Sequence, residues 1–378
     1  MEISVRKFDL LSELLLLQGA IERKTTMPIL ANIMAEAMPD GRLQLAATDL
    51  DLGLITSCTA NVKKSGGCAL PARKLLDYIK LLPDAELSMK RLENHWVQIR
   101  CGRSNTRLVG MSRENFPEVP EFPNTGVVKI PAAALKGMIL KTIFAISTEE
   151  SRYTLSGALM VLKPHSLAMV STDGHRLAHI VDESIALEGV AAEIKALVPR
   201  KAMAQLQLLL DTCGDEASVE FAQSETHLFF RLPHDSSGFM RLLSVRKLTG
   251  QFPNYEAVLP KAKLQSVTLH REEFLASIER VSQFADMRTH AVRVKMEPGK
   301  MNVASSGNEG ETDEEIDIDY TGDPVAIGYN AKYLSAFLEA VTSDEVLLEF
   351  KDDSSAGQLR PLATDGPQYR YVIMPMRI

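Results

Sequence analysis

Two histidines sit four residues apart, His175 and His179 in TDGHRLAHI. On a helix that spacing turns both imidazoles to one face and suits a metal ion. Here Asp173-Gly174 lies between two alternating runs, SLAMVS and HRLAHIV, so the segment reads as a hairpin. On a strand, residues four apart are about 13 Å apart, too far to share one ion. No metal site is expected. Asp49 with Asp51, and Asp352 with Asp353, have the make-up of acid–base pairs, but their surroundings read as turns, where carboxylates are ordinary surface groups. Cys58, Cys68, Cys101 and Cys213 form no CxxC pair, which speaks against a zinc site or a disulfide framework and fits a reducing cytoplasm. Phosphate loops, dinucleotide fingerprints, HExxH and GxSxG are all missing. The sequence therefore predicts no catalytic residue and no cofactor.

The basic residues carry more. Arg73-Lys74 open an amphipathic segment, Arg200-Lys201 open a second, and Lys332 has the nearest matching place in a third. Lys24, Arg152 and Tyr153 lie in loops after leading helices. A lone Arg-Lys pair is usually solvated surface. Recurrence at one place in successive repeats would instead present the cations on a common side, where they neutralise phosphates without reading bases.

These residues are positioned by a threefold repeat. LQLAATDL from Leu43, LAMVSTDG from Leu167 and MNVASSGN from Met301 each alternate and then break at small polar residues, as half-buried strands entering turns do. Their starts are 124 and 134 residues apart. LPARKLLDYIKLLPD, LVPRKAMAQLQLLLD and IGYNAKYLSAFLEAV each begin extended and continue as amphipathic helices. FDLLSELLLLQGAI, AALKGMILKTIFAIS and EEFLASIERVSQFA lead the three units and predict helices too. Each unit should thus start with a helix, run through hairpins and carry a second helix past its middle. Proline-rich joints at Phe116 to Gly126 and Phe252 to Lys263 divide the chain into 1–125, 126–255 and 256–378. The predicted class is α+β in three repeated domains.

Composition agrees with a globular protein: 45% hydrophobic and 24% charged. No apolar run reaches the roughly 18 residues of a membrane span, and Asp9 and Glu13 interrupt the leucine-rich start, which reads as an amphipathic helix rather than a signal peptide. The net charge of −7 speaks, on its face, against a nucleic-acid partner. But residues 309–319, EGETDEEIDID, hold seven acids and no base, so the chain outside them is neutral and the overall balance describes no single surface. Such a run reads as a solvated strand face or loop.

Several stretches, in order and along the whole length, resemble the bacterial β sliding clamp family, the processivity subunits of DNA polymerase III. They are TMPILANI, ATDLDL, LPARKLLD, SRYTLSG, STDGHRLA, VPRK, GQFPNYEAVLP and the terminal YVIMPMRI. The resemblance implies a clamp-type fold, helices on one side and antiparallel sheets on the other, in a head-to-tail homodimer that closes a six-domain ring around duplex DNA. Lys24, Arg73, Lys74, Arg152, Tyr153, Arg200 and Lys201 would then face the DNA. It also implies a peptide pocket for the DNA polymerase III catalytic subunit, the clamp loader, other polymerases and repair proteins, and no membrane partner. Its residues would be Leu155, Thr172, Gly174, His175, Arg176, Leu177, Pro253, Val258, Tyr333, and the tail Val372, Ile373, Met374, Pro375, Met376, Arg377 and Ile378. Ala257 stands where some clamps have arginine. Thr106 stands where some have an aromatic residue at the ring interface, with Leu108 beside it and Phe284 supplying apolar bulk from the opposite chain.

An enzyme on an α+β scaffold, separable by activity screening, and a monomeric adaptor, separable by solution mass, are the competing readings.

Overall fold

A computed structural model describes residues 1–22, 26–149, 151–233, 238–260, 264–362 and 366–377. The first third of the chain runs β1 (Glu2–Arg6), α1 (Lys7–Leu17), β2 (Asn32–Ala37), β3 (Arg42–Thr48), β4 (Leu52–Thr59), β5 (Asn61–Lys64), β6 (Gly66–Pro71), α2 (Ala72–Leu81), β7 (Glu86–Arg91), β8 (Trp96–Cys101) and β9 (Ser104–Val109). The middle third runs β10 (Val128–Pro131), α3 (Ala132–Leu140), β11 (Gly157–Lys163), β12 (Ser166–Thr172), β13 (Arg176–Asp182), β14 (Ile194–Pro199), α4 (Arg200–Leu210), β15 (Ser218–Gln223), β16 (His227–Pro233) and β17 (Met240–Arg246). The last third runs β18 (Gln265–His270), α5 (Arg271–Ser282), β19 (Ala291–Glu297), β20 (Lys300–Gly307), β21 (Gly310–Asp317), β22 (Val325–Asn330), α6 (Ala331–Ala340), β23 (Glu345–Phe350), β24 (Gly357–Pro361) and β25 (Gln368–Ile373).

The same order recurs three times, with β5 as the one insertion. Both predicted helix families are present in every third. One expectation is corrected: each third starts with a strand (β1, β10 or β18), not with its helix. These strands are short, and in β1 only Ile3 and Val5 turn inward, a two-residue alternation beside a leucine-rich helix that dominates the pattern. The acidic run 309–319 forms β21.

Two compact units emerge. The first comprises residues 1–136, 188–190 and 201–247. Its larger sheet has the order β10-β15-β16-β17-β4-β3-β2-β6, and its smaller sheet β5-β1-β7-β8-β9. Strands of the first and second repeats thus share one hydrogen-bonded sheet, with Leu243 of β17 opposite Leu54 of β4. Helix α1 packs on α2, with Leu10, Leu14 and Leu17 meeting the apolar face that holds Leu75, Leu76 and Ile79. Each such leucine contributes about 1.5–3 kcal/mol by leaving water.

The second unit comprises residues 137–187, 191–200 and 248–378. Its larger sheet runs β14-β11-β12-β13-β25-β24-β23-β18 and its smaller one β21-β20-β19-β22. Here second- and third-repeat strands share a sheet, through β13 and β25. Helices α5 and α6 pack together. Among the described residues no helix is long and apolar enough to cross a membrane.

A buried ion pair closes the core of the first unit. Glu13 of α1 is 2% exposed and Arg241 of β17 is 5% exposed. Arg241 donates Nε and Nη2 to the two Glu13 carboxylate oxygens at 3.0 and 2.6 Å, and Nη1 to Thr212 Oγ1 at 2.6 Å. Thr56 donates its hydroxyl to the same carboxylate. Removing one member strands a buried charge. Arg241→Met alone should therefore lower unfolding free energy by about 3–5 kcal/mol, whereas Glu13→Leu with Arg241→Met should recover most of it. Urea unfolding of the single and double variants checks this, and an equal loss in both would show that the stranded charge is not the cause.

Candidate partner-docking cleft and basic helix starts

The cleft residues lie in the second unit and are organised by the β12–β13 turn. Gly174 has φ +90°, a conformation that costs glycine little. Asp173 caps the turn: its Oδ1 accepts the backbone N–H groups of His175 and Arg176 at 2.9 and 3.0 Å. Thr172 Oγ1 donates to Arg176 O at 2.6 Å and accepts the Gly174 N–H at 3.1 Å. A Cβ on residue 174 would come within 2.8 Å of Arg152 Nη1, which itself donates to Asp173 O at 2.6 Å.

The first repeat builds the same turn with a leucine. Thr48 Oγ1 accepts the Leu50 N–H at 3.0 Å, and Asp49 Oδ1 accepts those of Asp51 and Leu52 at 3.0 and 2.6 Å. Leu50 therefore sits at φ +80°, which disfavours a side chain. The two Asp-containing turns answer the question raised by Asp49 and Asp51: the first of them is a backbone cap.

Next to the turn, β25 pairs with β13 so that Val372 lies opposite Leu177 and Ile373 opposite Arg176. Alternation then separates the predicted residues into two sets. Leu177 and Val372 point to the sheet's outer face and are buried there with Leu159, Val161, Ala168, Val170 and Leu197. Phe252, Tyr255 and Leu259 of the loop 250–260 pack over this cluster. Pro253 and Val258 of the same loop are exposed, Val258 by 45%. At the loop's start Gly250 closes on Thr154, the neighbour of Leu155 in the short helix Tyr153–Leu155.

The other set points to the helices. Ile373 is fully buried. The Arg176 guanidinium lies 4.2 Å over the Tyr333 ring and 5.6 Å from that of Phe144. It pairs with Asp173 at 3.0 Å and donates to Phe144 O at 2.6 Å. Arg176 and Tyr333, both half-buried, and buried Ile373 thus form a brace on the helix side of the sheet. Tyr371, Phe144 and Phe337 complete that brace, Tyr371 stacking on Phe337 at 5.2 Å and donating to Tyr333 O at 2.9 Å. The aromatic spacing in QYRYVI was the available clue to these residues, being one face of a strand.

The tail is held in place. Met374 donates its N–H to His175 O at 2.9 Å, and Met376 donates to Gly328 O at 2.8 Å. Met374 remains 43% exposed beside exposed His175. Pro375 and Met376 are half-buried and Arg377 is exposed. Ile378 lies outside the described residues.

The basic residues also have definite places. Counted from each helix start, Arg73, Lys201 and Lys332 are each the second residue of α2, α4 and α6. The pairs are therefore offset by one: Arg200 matches Ala72, and Lys74 matches Ala202. All five cations are exposed. Arg73 reaches Asp77 only at 3.7 Å, whereas Lys201 is ion-paired with Asp49, whose side chain is 8% exposed. Arg152 pairs with Glu149 at 2.9 Å, and Tyr153 is 49% exposed. Lys24 lies outside the described residues.

Of the residues predicted for a ring interface, Thr106 and Leu108 lie on a sheet edge and Phe284 lies in a turn beside one. Thr106 and Leu108 are half-buried on β9, an edge of the first unit's smaller sheet. Phe284 is 41% exposed, and its ring lies 3.2 Å from a Cβ built on Gly310, the first residue of edge strand β21.

Repeated α+β units with helix-starting cations and a cleft at the β12–β13 turn define a clamp-type scaffold. Comparison with known proteins agrees. The N-terminal, central and C-terminal domain models of the DNA polymerase III beta subunit match residues 1–120, 129–254 and 256–377. The beta sliding clamps of Caulobacter vibrioides and Pseudomonas putida are 31% and 30% identical, over the full length of both chains. The crystal structure of a sliding clamp from Bartonella birtlesii, bound to griselimycin, superposes with a TM-score of 0.92 at 31% identity, covering both chains entirely. The chain belongs to the DNA polymerase III beta subunit family, the beta sliding clamps.

The two histidines of the turn differ in environment. His175 is exposed, while His179 lies on the outer face, its ring 5.4 Å from that of Tyr255. Among the described residues no metal-binding group of His, Cys, Asp or Glu occurs. Burial, with Arg370 beside it adding and Glu256 opposing, pushes the His179 pKa down to about 4. The folded value is below the unfolded one, near 6.5, so its contribution is present above pH 6.5 and lost as pH falls toward 4. The unfolding free energy of the wild type minus that of His179→Gln should therefore shrink between pH 7 and pH 5, as read by denaturant titration. A difference that stays constant would mean that His179 titrates normally in the fold.

Proposed function

We propose that two copies of this chain close head to tail into a ring that encircles duplex DNA. The ring slides without reading sequence and tethers proteins acting on DNA. The observation that carries this reading is the unbroken match to three successive clamp domains. Its domains are 1–125, 126–255 and 256–378, and the spans of the family models support joints at the proline-rich segments. The chain is a processivity factor of the DNA polymerase III holoenzyme, with no catalytic site or cofactor of its own, working in the cytoplasm.

Sheet-edge chemistry supports the ring. An unpaired strand edge is a ready template for another chain. Edge β9 and its turn carry exposed Arg103 and Arg107, while edge β21 carries exposed Glu311, Asp313, Glu315 and Asp317. Opposite charge on two edges favours pairing of one with the other over self-pairing, the requirement of a head-to-tail contact. Thr106 and Leu108 would supply the apolar part of one side and Phe284 that of the other.

Topology then does what tight binding would otherwise do. A closed ring cannot leave sideways, so Arg73, Lys74, Arg152, Tyr153, Arg200, Lys201 and Lys24 need only weak phosphate contacts. On circular DNA the loaded protein should stay bound through gel filtration at a salt concentration that abolishes ordinary contacts, and it should be lost once the circle is cut. Equal retention on circular and linear DNA would remove the ring from consideration.

Arg73 and Lys74 are exposed, and Arg73 makes only a long ion pair with Asp77, at 3.7 Å. Replacing both by Ala should reduce the slope of log K against log salt by nearly two, at about 0.9 per phosphate contact, and Lys201→Ala should reduce it less because Asp49 already neutralises that lysine. An unchanged slope in the double variant would place these residues away from DNA.

The docking cleft takes a short peptide motif of the polymerase catalytic subunit, the clamp loader, other polymerases and repair proteins. Its accessible groups are Leu155, Gly174, His175, Pro253, Val258 and Met374 to Arg377, over a floor of Thr172, Leu177 and Val372. Flexible methionine suits a surface that accepts several related peptides, and Ala257 leaves the 250–260 loop without the cation some clamps carry. Deleting residues 374–378 should weaken a fluorescent polymerase-tail peptide at least tenfold, about 1.4 kcal/mol. Light scattering should still give a dimer mass. Equal peptide affinity in two intact dimers would exclude the tail from the cleft.

A further inference from the structure

Behind the 250–260 loop, on the same outer sheet face, lies a cavity of about 370 Å³. It shares Val161, Ala168, Tyr255 and Leu259 with the cluster beneath the cleft, but none of His175, Thr172, Met374 or Val258 lines it. Its floor is Val161 of β11 and Ala168 of β12; its wall is Tyr255 and Leu259 of the loop; its inner polar groups are His179 and Arg370, which face each other across the β13–β25 pair.

Two unmet needs mark the interior. Arg370 is half-buried, yet among the described residues its guanidinium has no hydrogen-bond or ion-pair partner. Arginine cannot shed its proton, so a guanidinium without a counter-charge is available to an anion. Beside it, His179 Nδ1 is buried without a hydrogen bond. The remaining charges do not fill these needs. Lys163 and Lys195 both pair with Glu193, at 3.3 and 2.9 Å. Glu183 and Glu256 line the cavity from its exposed rim, where water screens them.

We infer that this cavity is a second ligand site, for a small aromatic carboxylate. The ring lies between the Tyr255–Leu259 wall and the Val161–Ala168 floor, and the carboxylate meets Arg370. Val161, Ala168, Tyr255 and Leu259 supply the apolar contact, the exposed rim is charged by Lys163, Lys195, Glu183, Glu193 and Glu256, and the volume is within the range of small-molecule sites. The site is coupled to the cleft because one loop serves both: Tyr255 and Leu259 face the cavity, while Pro253 and Val258 face the peptide. This coupling rests on the cleft reading above; the site itself does not.

The probe is 4-(trifluoromethyl)benzoate, followed by fluorine NMR on the full-length protein. Saturable binding with a Kd of about 1 mM is expected, weakened about tenfold or more by Arg370→Gln and abolished by Ala168→Phe, which fills the floor. The neutral amide of the probe should bind more weakly by a similar factor. Saturating polymerase-tail peptide should shift the probe's affinity without displacing it, and the probe should shift peptide affinity by the same factor. Absence of saturable binding, indifference to Arg370→Gln, or equal binding of the amide overturns the site. Stoichiometric displacement by peptide overturns it too, since the probe would then occupy the cleft. Probe binding with unchanged peptide affinity leaves the site and overturns the coupling. Arg370→Gln keeps a polar chain at a partly solvated position, so it remains informative where Ala168→Phe fails to fold. Failure of the peptide to bind at all bears on the cleft alone.

Discussion

The pairing of β13 with β25 is the constraint on which the docking region depends. It sets Val372 beside Leu177 on one face and Ile373 beside Arg176 on the other. A slip of one residue would exchange those faces, bringing Tyr371 out and Leu177's partner in. Register is therefore fixed by what each face buries: an aliphatic cluster under the loop on one side, and stacked Tyr371 and Phe337 on the other. The tail's position follows, since Met374 continues the ladder by one hydrogen bond to His175.

The first unit obeys the same rule at its own junction. There β17 joins β4, and the buried Glu13–Arg241 pair ties α1 to the joining strand. Each repeat boundary is crossed by a continuous sheet rather than bridged by a flexible linker. On the proposed division the chain changes repeat at the proline-rich segments, while the sheets run across those boundaries. This difference explains why the middle repeat contributes strands to both compact units.

Much of the local structure was legible because it rests on local rules. Helix periodicity located α1 to α6, and Asp173-Gly174 announced a turn that disqualified His175 and His179 as a metal pair. The recurring Thr-Asp dipeptide at 48–49 and 172–173 is now explained by two identical capped turns. Less legible was anything decided by strand order. That β13 would pair with a strand from the end of the chain follows from tertiary packing, and so does the inward turn of Arg176 onto Tyr333. The short opening strands were missed because a single apolar alternation carries little weight beside a leucine-rich helix. The cation offset, Arg73 with Lys201 rather than Arg200, needed helix starts that sequence places only to within a residue or two.

The Asp49–Lys201 ion pair has a consequence for motion. Asp49 is fixed by its role as a turn cap, under a leucine held at φ +80°, so it cannot swing away from its lysine cheaply. On the ring reading, a phosphate reaching Lys201 must compete with the carboxylate already paired to it. Such a contact is brief, and it displaces little salt. On that reading, a surface built partly from cations that carry their own anions exerts less drag on a passing backbone than one of bare charges. On the ring reading, the speed of travel along the duplex would be set, residue by residue, by which lysines are given a resident carboxylate.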